Sequence, residues 1–252
     1  MAWHFDETSG HYVTFGDAAA LTLPDGDWTI AGWIKLDDNT GSNYQYFLSW
    51  GGFGASPSLN WYFHEASVAD PNVLKFFIED ASGDPGSTIT STGTPGTSTA
   101  WQHLAAVRSG NTVTQYVNGV ADGTFTNAAF GGVNVAASMY LGMRSDNDPD
   151  RRFGGSMAEW AKWDRALAVG ERAALVAGFS PRMMPYNLKW HTRMLGGWDE
   201  WYGGLTVTNN NSTLADHPPM IYPNSGIVVP WVSTAPPVGN PWYYYAQQEA
   251  VA

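Results

Sequence analysis

The 252 residues carry 12 Lys and Arg against 23 Asp and Glu, a net charge of −11 that excludes phosphate-displaying partners, nucleic acid and anionic membranes among them. The absence of cysteine excludes a disulfide framework and thiolate chemistry, and no stretch approaches the roughly eighteen apolar residues of a membrane span. Charged residues make up 14% of the chain and aromatics another 14%, so much of the surface is uncharged polar or aromatic, as suits a protein whose work is contact.

The opening MAWHFDETSGHYVTFG has neither a basic n-region nor an apolar h-region, so no signal peptide is expected. Strand-like runs then dominate to about residue 165. In WTIAGWIKL, residues 28–36, period-two alternation places Trp28, Ile30, Gly32, Ile34 and Leu36 on one buried face. Further runs fall at 44–50, 59–65, 73–80, 101–109, 112–118, 138–143 and 156–164. Residues 80–100 are small and polar and read as a long loop with at most one edge strand near STITS. RSGN at 108–111 and VNGV at 117–120 predict two successive tight hairpins, the second on an Asn-Gly turn. The spacing of Val169, Ala173, Leu175 and Val176, with a stop at Gly178, predicts one short helix over 169–178. Many strands without alternating helices specify an antiparallel sandwich or jelly roll.

Composition changes at Pro181. From there on the chain holds 9 of the 15 prolines and 11 of the 36 aromatics but only seven charged residues. Such a segment predicts an extended arm, pre-extended by proline and docking through aromatics that supply area for few torsions. The expected organisation is therefore a self-sufficient domain over 1–180 and a Pro/aromatic-rich arm over 181–252. Trp190, Trp198, Trp201, Tyr222, Trp231, Trp242 and Tyr243 are its anchors for assembly, and truncation after Ser180 is expected to leave a folded sandwich.

Four stretches occur in the order and spacing of a known family: HYVTFGDAAALTL, DWTIAGWIKLDD, WQHLAAVRSGNTVTQYVNGV, and YLGMRSDNDPDRRFGGSMAEWAKWDRALAVGERAAL. Over residues 1 to about 180 the chain resembles the laminin-G-like branch of the concanavalin A-like lectin/glucanase superfamily. The resemblance implies an all-β, two-sheet antiparallel jelly-roll sandwich with one short helix, to which the sequence adds an extended C-terminal arm. LADHPPMIYP, residues 214–223, resembles the ends of laminin-G-like proteins encoded in tailed-phage genomes, where such chains are virion structural proteins.

Glucanases of this superfamily carry a Glu-x-Asp-x-x-Glu run on one strand, which sets two carboxylates about 5 Å apart. That run is missing here: Asp84 of the Glu79, Asp80, Asp84 group falls in a turn, and Asp199 and Glu200 point to opposite sides if extended. No enzyme is expected. SDNDPD spaces Asp146, Asp148 and Asp150 like the first ligands of a calcium loop but lacks its glycine and distal glutamate, so calcium is the one cofactor considered. The six histidines show no i, i+4 pair, which argues against zinc. Trp50, Trp61, Tyr62 and Tyr46 are candidates for stacking on sugar rings, against the plainer reading of sandwich tryptophans as core.

These observations lead to a non-catalytic phage virion protein, a capsid decoration or a head or tail fibre component assembled in the host cytoplasm. It is expected to bind neighbouring capsid or tail subunits through the arm and to form a homo-oligomer, with no nucleic acid and no membrane insertion. The alternatives are a carbohydrate-binding module for host-surface glycans and, after it, a glycoside hydrolase of the same superfamily.

Overall fold

A computed structural model describes residues 2–16, 20–38, 44–52, 56–65, 70–84, 86–192, 200–202 and 205–222, with only the backbone of 87 and 200–202. The early strands are β1 (Ala2–Phe5), β2 (Tyr12–Phe15), β3 (Trp28–Leu36), β4 (Tyr44–Trp50), β5 (Ser58–His64), β6 (Leu74–Glu79) and β7 (Ser87–Thr90). There follow β8 (Gln102–Ser109), β9 (Thr112–Val117), β10 (Val120–Thr126), β11 (Met139–Leu141) and β12 (Gly155–Trp163), then the helix α1 (Val169–Val176). Four short strands come last: β13 (Leu188–Thr192), β14 (Glu200–Tyr202), β15 (Val207–Asn210) and β16 (Thr213–Ala215).

Among the described residues every pairing between named strands is antiparallel, and these strands make two sheets. One runs β10-β9-β8-β3-β12-β1-β16, with β13 joined to β12 and β14 to β13; the other runs β15-β2-β11-β4-β5-β6-β7. Among the described residues no helix is long and apolar enough to cross a membrane.

Alternation on β3 explains how the sheets stack. Trp28, Ile30, Ile34 and Leu36 enter the interior beside Phe47, Trp61, Phe63 and Phe76 of the opposite sheet, while Ala31 faces outward under Leu167 and Leu175. Gly32 completes the inward row because a Cβ there would sit 2.4 Å from the Trp160 ring. The Asn118-Gly119 turn adopts positive φ at both residues, 49° and 81°, the twist that a two-residue hairpin requires. Arg165 clamps Glu171 with two 2.6 Å bonds, and Glu171 also accepts from the Ala168 amide, so the turn from β12 into α1 is held by a part-buried charge pair.

The boundary expected after residue 180 does not hold. β13 pairs with β12, and its Trp190 is 1% exposed, edge-on to Phe15 with ring centroids 5.0 Å apart. β15 extends one sheet by pairing with β2, and β16 extends the other by pairing with β1. The strands β13, β15 and β16 thus belong to the sandwich, and Trp190 is core, not an assembly anchor. The physical reason is edge closure: β1 and β2 would otherwise present unpaired backbone groups along both sheets. Trp198, Trp231, Trp242 and Tyr243 lie outside the described residues, as does the Trp201 side chain.

Trp190→Ala should cost about 3–5 kcal/mol, the range for emptying a buried tryptophan site, read as a lowered denaturation midpoint without a change in slope. Gly32→Ala should destabilise by about 1–3 kcal/mol, because backbone or Trp160 has to move. A wild-type midpoint for either variant would contradict this packing.

Candidate ligand-binding cleft

Directly opposed residues of antiparallel strands share a face. The register Thr213 to His4, His4 to Ser156 and Ser156 to Lys35 therefore lays an outward polar row across β16, β1, β12 and β3. Over this row lies an open cleft of about 530 Å³, lined by His4, Lys35, Asp37, Ser156, Leu214 and Asp216 with Ala215. His4 Nδ1 stands 3.7 Å from an Asp37 carboxylate oxygen. Two residues before Lys35, on the same face of β3, is Trp33, which is half-buried. Its indole meets the His103 ring edge-on at 5.3 Å, and burial pushes that imidazole down to about 3, so Trp33 rests on a neutral ring. An ammonium, an imidazole, a hydroxyl and two carboxylates around an open cleft, with an indole alongside, can satisfy a ligand rich in hydroxyls.

Beside the cleft is a second cluster, inside the protein. β12 loses register with β3 between Ala158 and Ala161, and within this bulge Glu159 takes φ +54°, a conformation that costs a non-glycine residue on the order of 1 kcal/mol or more. Its carboxylate is buried. One oxygen accepts from the Tyr222 hydroxyl at 2.7 Å and lies 3.5 Å from His217 Nε2; the other lies 3.0 Å from His191 Nε2 and accepts from Ser180 Oγ at 3.2 Å. Burial alone would raise the Glu159 pKa, but the hydrogen bonds from His191 and Tyr222, the close approach of His217 and the His191 charge outweigh it and hold the carboxyl at about 2. Two of these partners come from the ADHPPMIY stretch. His217 and Tyr222 fold back onto β12, and Ile221 pairs in parallel with Phe179.

The residues proposed from the sequence for sugar stacking do not form this site. Trp50 and Trp61 are core, their indole N–H groups donating to the Ala137 carbonyl at 2.9 Å and the Gln115 side chain at 3.0 Å. Tyr46 and Tyr62 lie on the far face of the other sheet, buried and stacked on each other at 4.4 Å. The Arg144 guanidinium sits 5.6 Å from the Tyr46 ring, and burial raises both phenol pKa values. In these two runs alternation could not tell which face meets the interior, and here the tryptophans won it.

The Asp146, Asp148, Asp150 loop does not converge on a metal. Asp146 and Asp148 both hold the Arg144 guanidinium, at 2.7 and 2.8 Å, and Asp148 also accepts from the Asp150 amide. Among the described residues no group of three His, Asp or Glu side chains is placed to bind a metal ion. Asp80 accepts from the Ser82, Asp84 and Gly131 amides and so organises a turn, while Glu79 accepts from Ser58. Trp33 and Lys35 were readable as outward by the same alternation that buries Ile34. Glu159 carried a weaker signal, a lone acid in an apolar run.

The pH dependence follows from Glu159. A carboxyl whose pKa is depressed from 4.5 to about 2 contributes stability that is complete above 4.5 and lost as pH falls toward 2. The melting temperature of the wild type should exceed that of Glu159→Gln near neutrality, and the gap should close between pH 4.5 and 2. A gap that stays constant over that window would contradict an ionised Glu159.

The family model described as the concanavalin A-like lectin/glucanases superfamily, of laminin-G type, matches residues 6–171. No protein of curated function matches the chain in sequence. Among solved structures, a suggested carbohydrate-binding protein of Bacteroides ovatus superposes with a TM-score of 0.64 at 18% identity, over 84% of this chain and 58% of that one. The chain thus spans little more than half the length of that relative. The heptameric SAP-like pentraxin of Limulus polyphemus gives 0.51 at 17% identity, over 69% and 81%. The botulinum neurotoxin serotype D ligand binding domain, solved with N-acetylneuraminic acid, gives 0.51 at 11% identity, over 68% and 40%. With two thirds of its length matched by one family model, and with two antiparallel sheets stacked face to face, the chain belongs to the concanavalin A-like lectin/glucanase superfamily, in its laminin-G-like branch.

Proposed function

We propose that this chain is a non-catalytic, lectin-like binding protein that takes a glycan in the cleft lined by His4, Lys35, Ser156 and Asp216, with Trp33 beside it. The observation that carries the reading is the cleft itself: donors and acceptors of both charges converge over an open volume of about 530 Å³ beside a half-buried indole. Sugars need this combination, an apolar face for the ring and fixed polar groups for the hydroxyls. The carbohydrate binding suggested for the Bacteroides ovatus relative supports it by analogy of fold. The carboxylates Asp80, Asp146 and Asp148 are committed to turns and to Arg144, which favours binding over hydrolysis.

The finer reading places the protein on a tailed-phage particle, where the sandwich is displayed and residues 223–252 hold neighbouring subunits or a second copy. Its support is the LADHPPMIYP stretch, whose His217 and Tyr222 are tied to the sandwich. Co-sedimentation of the chain with purified particles tests this placement, and its absence from washed particles would end it.

On a glycan array, Trp33→Ala and Lys35→Ala should each weaken binding about tenfold or more, equivalent to about 1.4 kcal/mol, while both variants keep a cooperative unfolding transition. Binding that survives both substitutions, or that is lost only in unfolded variants such as Trp61→Ala, would rule out the cleft.

A further inference from the structure

Leu214, Ala215 and Asp216 form one wall of the cleft and Ser156 part of its floor. The wall is fastened on one side by the pairing of β16 with β1. Beyond it, the Ile221 amide donates to the Gly178 carbonyl at 2.7 Å and the Ile221 carbonyl accepts from the Ser180 amide at 2.9 Å. Between these fastenings lies Glu159, three residues along β12 from Ser156. It meets His217, the residue immediately after the wall, at 3.5 Å, and Tyr222 at 2.7 Å. His191 and Ser180 occupy its other oxygen, so one buried carboxylate ties floor strand, β13, the turn after α1 and the wall segment together.

We propose that Glu159 is a positioning residue of the cleft: through His217 and Tyr222 it sets the Leu214–Asp216 wall against the Ser156 floor. Filling the cleft and docking residues 213–222 then favour each other by the same factor, because coupling between two binding events is reciprocal. Only the ligand half of this statement rests on the glycan reading. A carboxylate that merely stabilised the sandwich would act on all of its strands alike, whereas a positioning carboxylate acts first on residues 213–222.

Amide hydrogen exchange on the full chain at neutral pH separates the two roles. Glu159→Ala should speed exchange at Ile221 and across 213–216 by tenfold or more, while Leu104 and Ala105 in β8 keep their wild-type protection. Tyr222→Phe and Glu159→Gln, which keep the fold if Glu159→Ala does not, should give smaller accelerations at the same amides. In titrations with free galactose, glucose and N-acetylneuraminic acid followed on the Leu214 methyl resonances, any sugar that binds should slow exchange at Ile221 and bind several-fold more weakly to Glu159→Gln. Unchanged exchange at 213–222 in every variant, or acceleration shared equally by β8, would overturn the proposal. Failure of all three sugars to bind wild type would count against the glycan reading, and the exchange pattern would still decide the positioning role.

Discussion

The structure depends on closing two sheet edges with one stretch of chain. β1 and β2 are consecutive in sequence but lie in different sheets, so each leaves an edge on the same side of the sandwich. The chain returns about two hundred residues later to cover both: β15 pairs with β2, a turn through Asn211 at φ +64° crosses over, and β16 pairs with β1. Unpaired backbone at a sheet edge is a template for aggregation, and the interior it borders here is dense with aromatic rings. Trp190 and Leu205, on either side of β14, add their side chains to that interior.

Edge closure also creates the candidate site. β16 is only three residues long, too short to be stable by itself, yet, with Asp216 after it, it supplies one side of the cleft. Its hold on the sandwich is reinforced from below by Glu159, whose burial would be costly without the donors that surround it. The strained backbone of Glu159 fits this arrangement: the carboxylate meets His191, Ser180 and Tyr222, while Trp160, the next residue, stays under Gly32. A folding device and the wall of the cleft are thus the same residues, which is why the C-terminal part of the chain reads poorly as an appendage.

Much of the sandwich was legible because its longer strands obey period two. WTIAGWIKL and YQYFLSW coincide with β3 and β4, and the Asn-Gly turn lies where the hairpin needs it. The strands after Pro181 were not legible. Each is three to five residues long, set among prolines, and so too short to show a period. Trp190 looked like an anchor because an aromatic in a proline-rich segment has no alternating neighbours to mark it as core. The Glu159 cluster was hidden for another reason: its partners lie 32, 58 and 63 residues further along the chain, and only β13 and the fold-back of HPPMIY bring them together. For the cleft, Trp33 and Lys35 could be assigned to the outer face, but the wall opposite them depended on a strand that composition alone disguised.

The most direct test compares residues 1–180 with the full chain by near-ultraviolet circular dichroism and thermal unfolding. Without β13, β15, β16 and Trp190 the shorter protein should lose its fixed aromatic environment and its cooperative transition. A truncated protein with the full-length spectrum and melting temperature would contradict the claim that the late strands complete the sandwich.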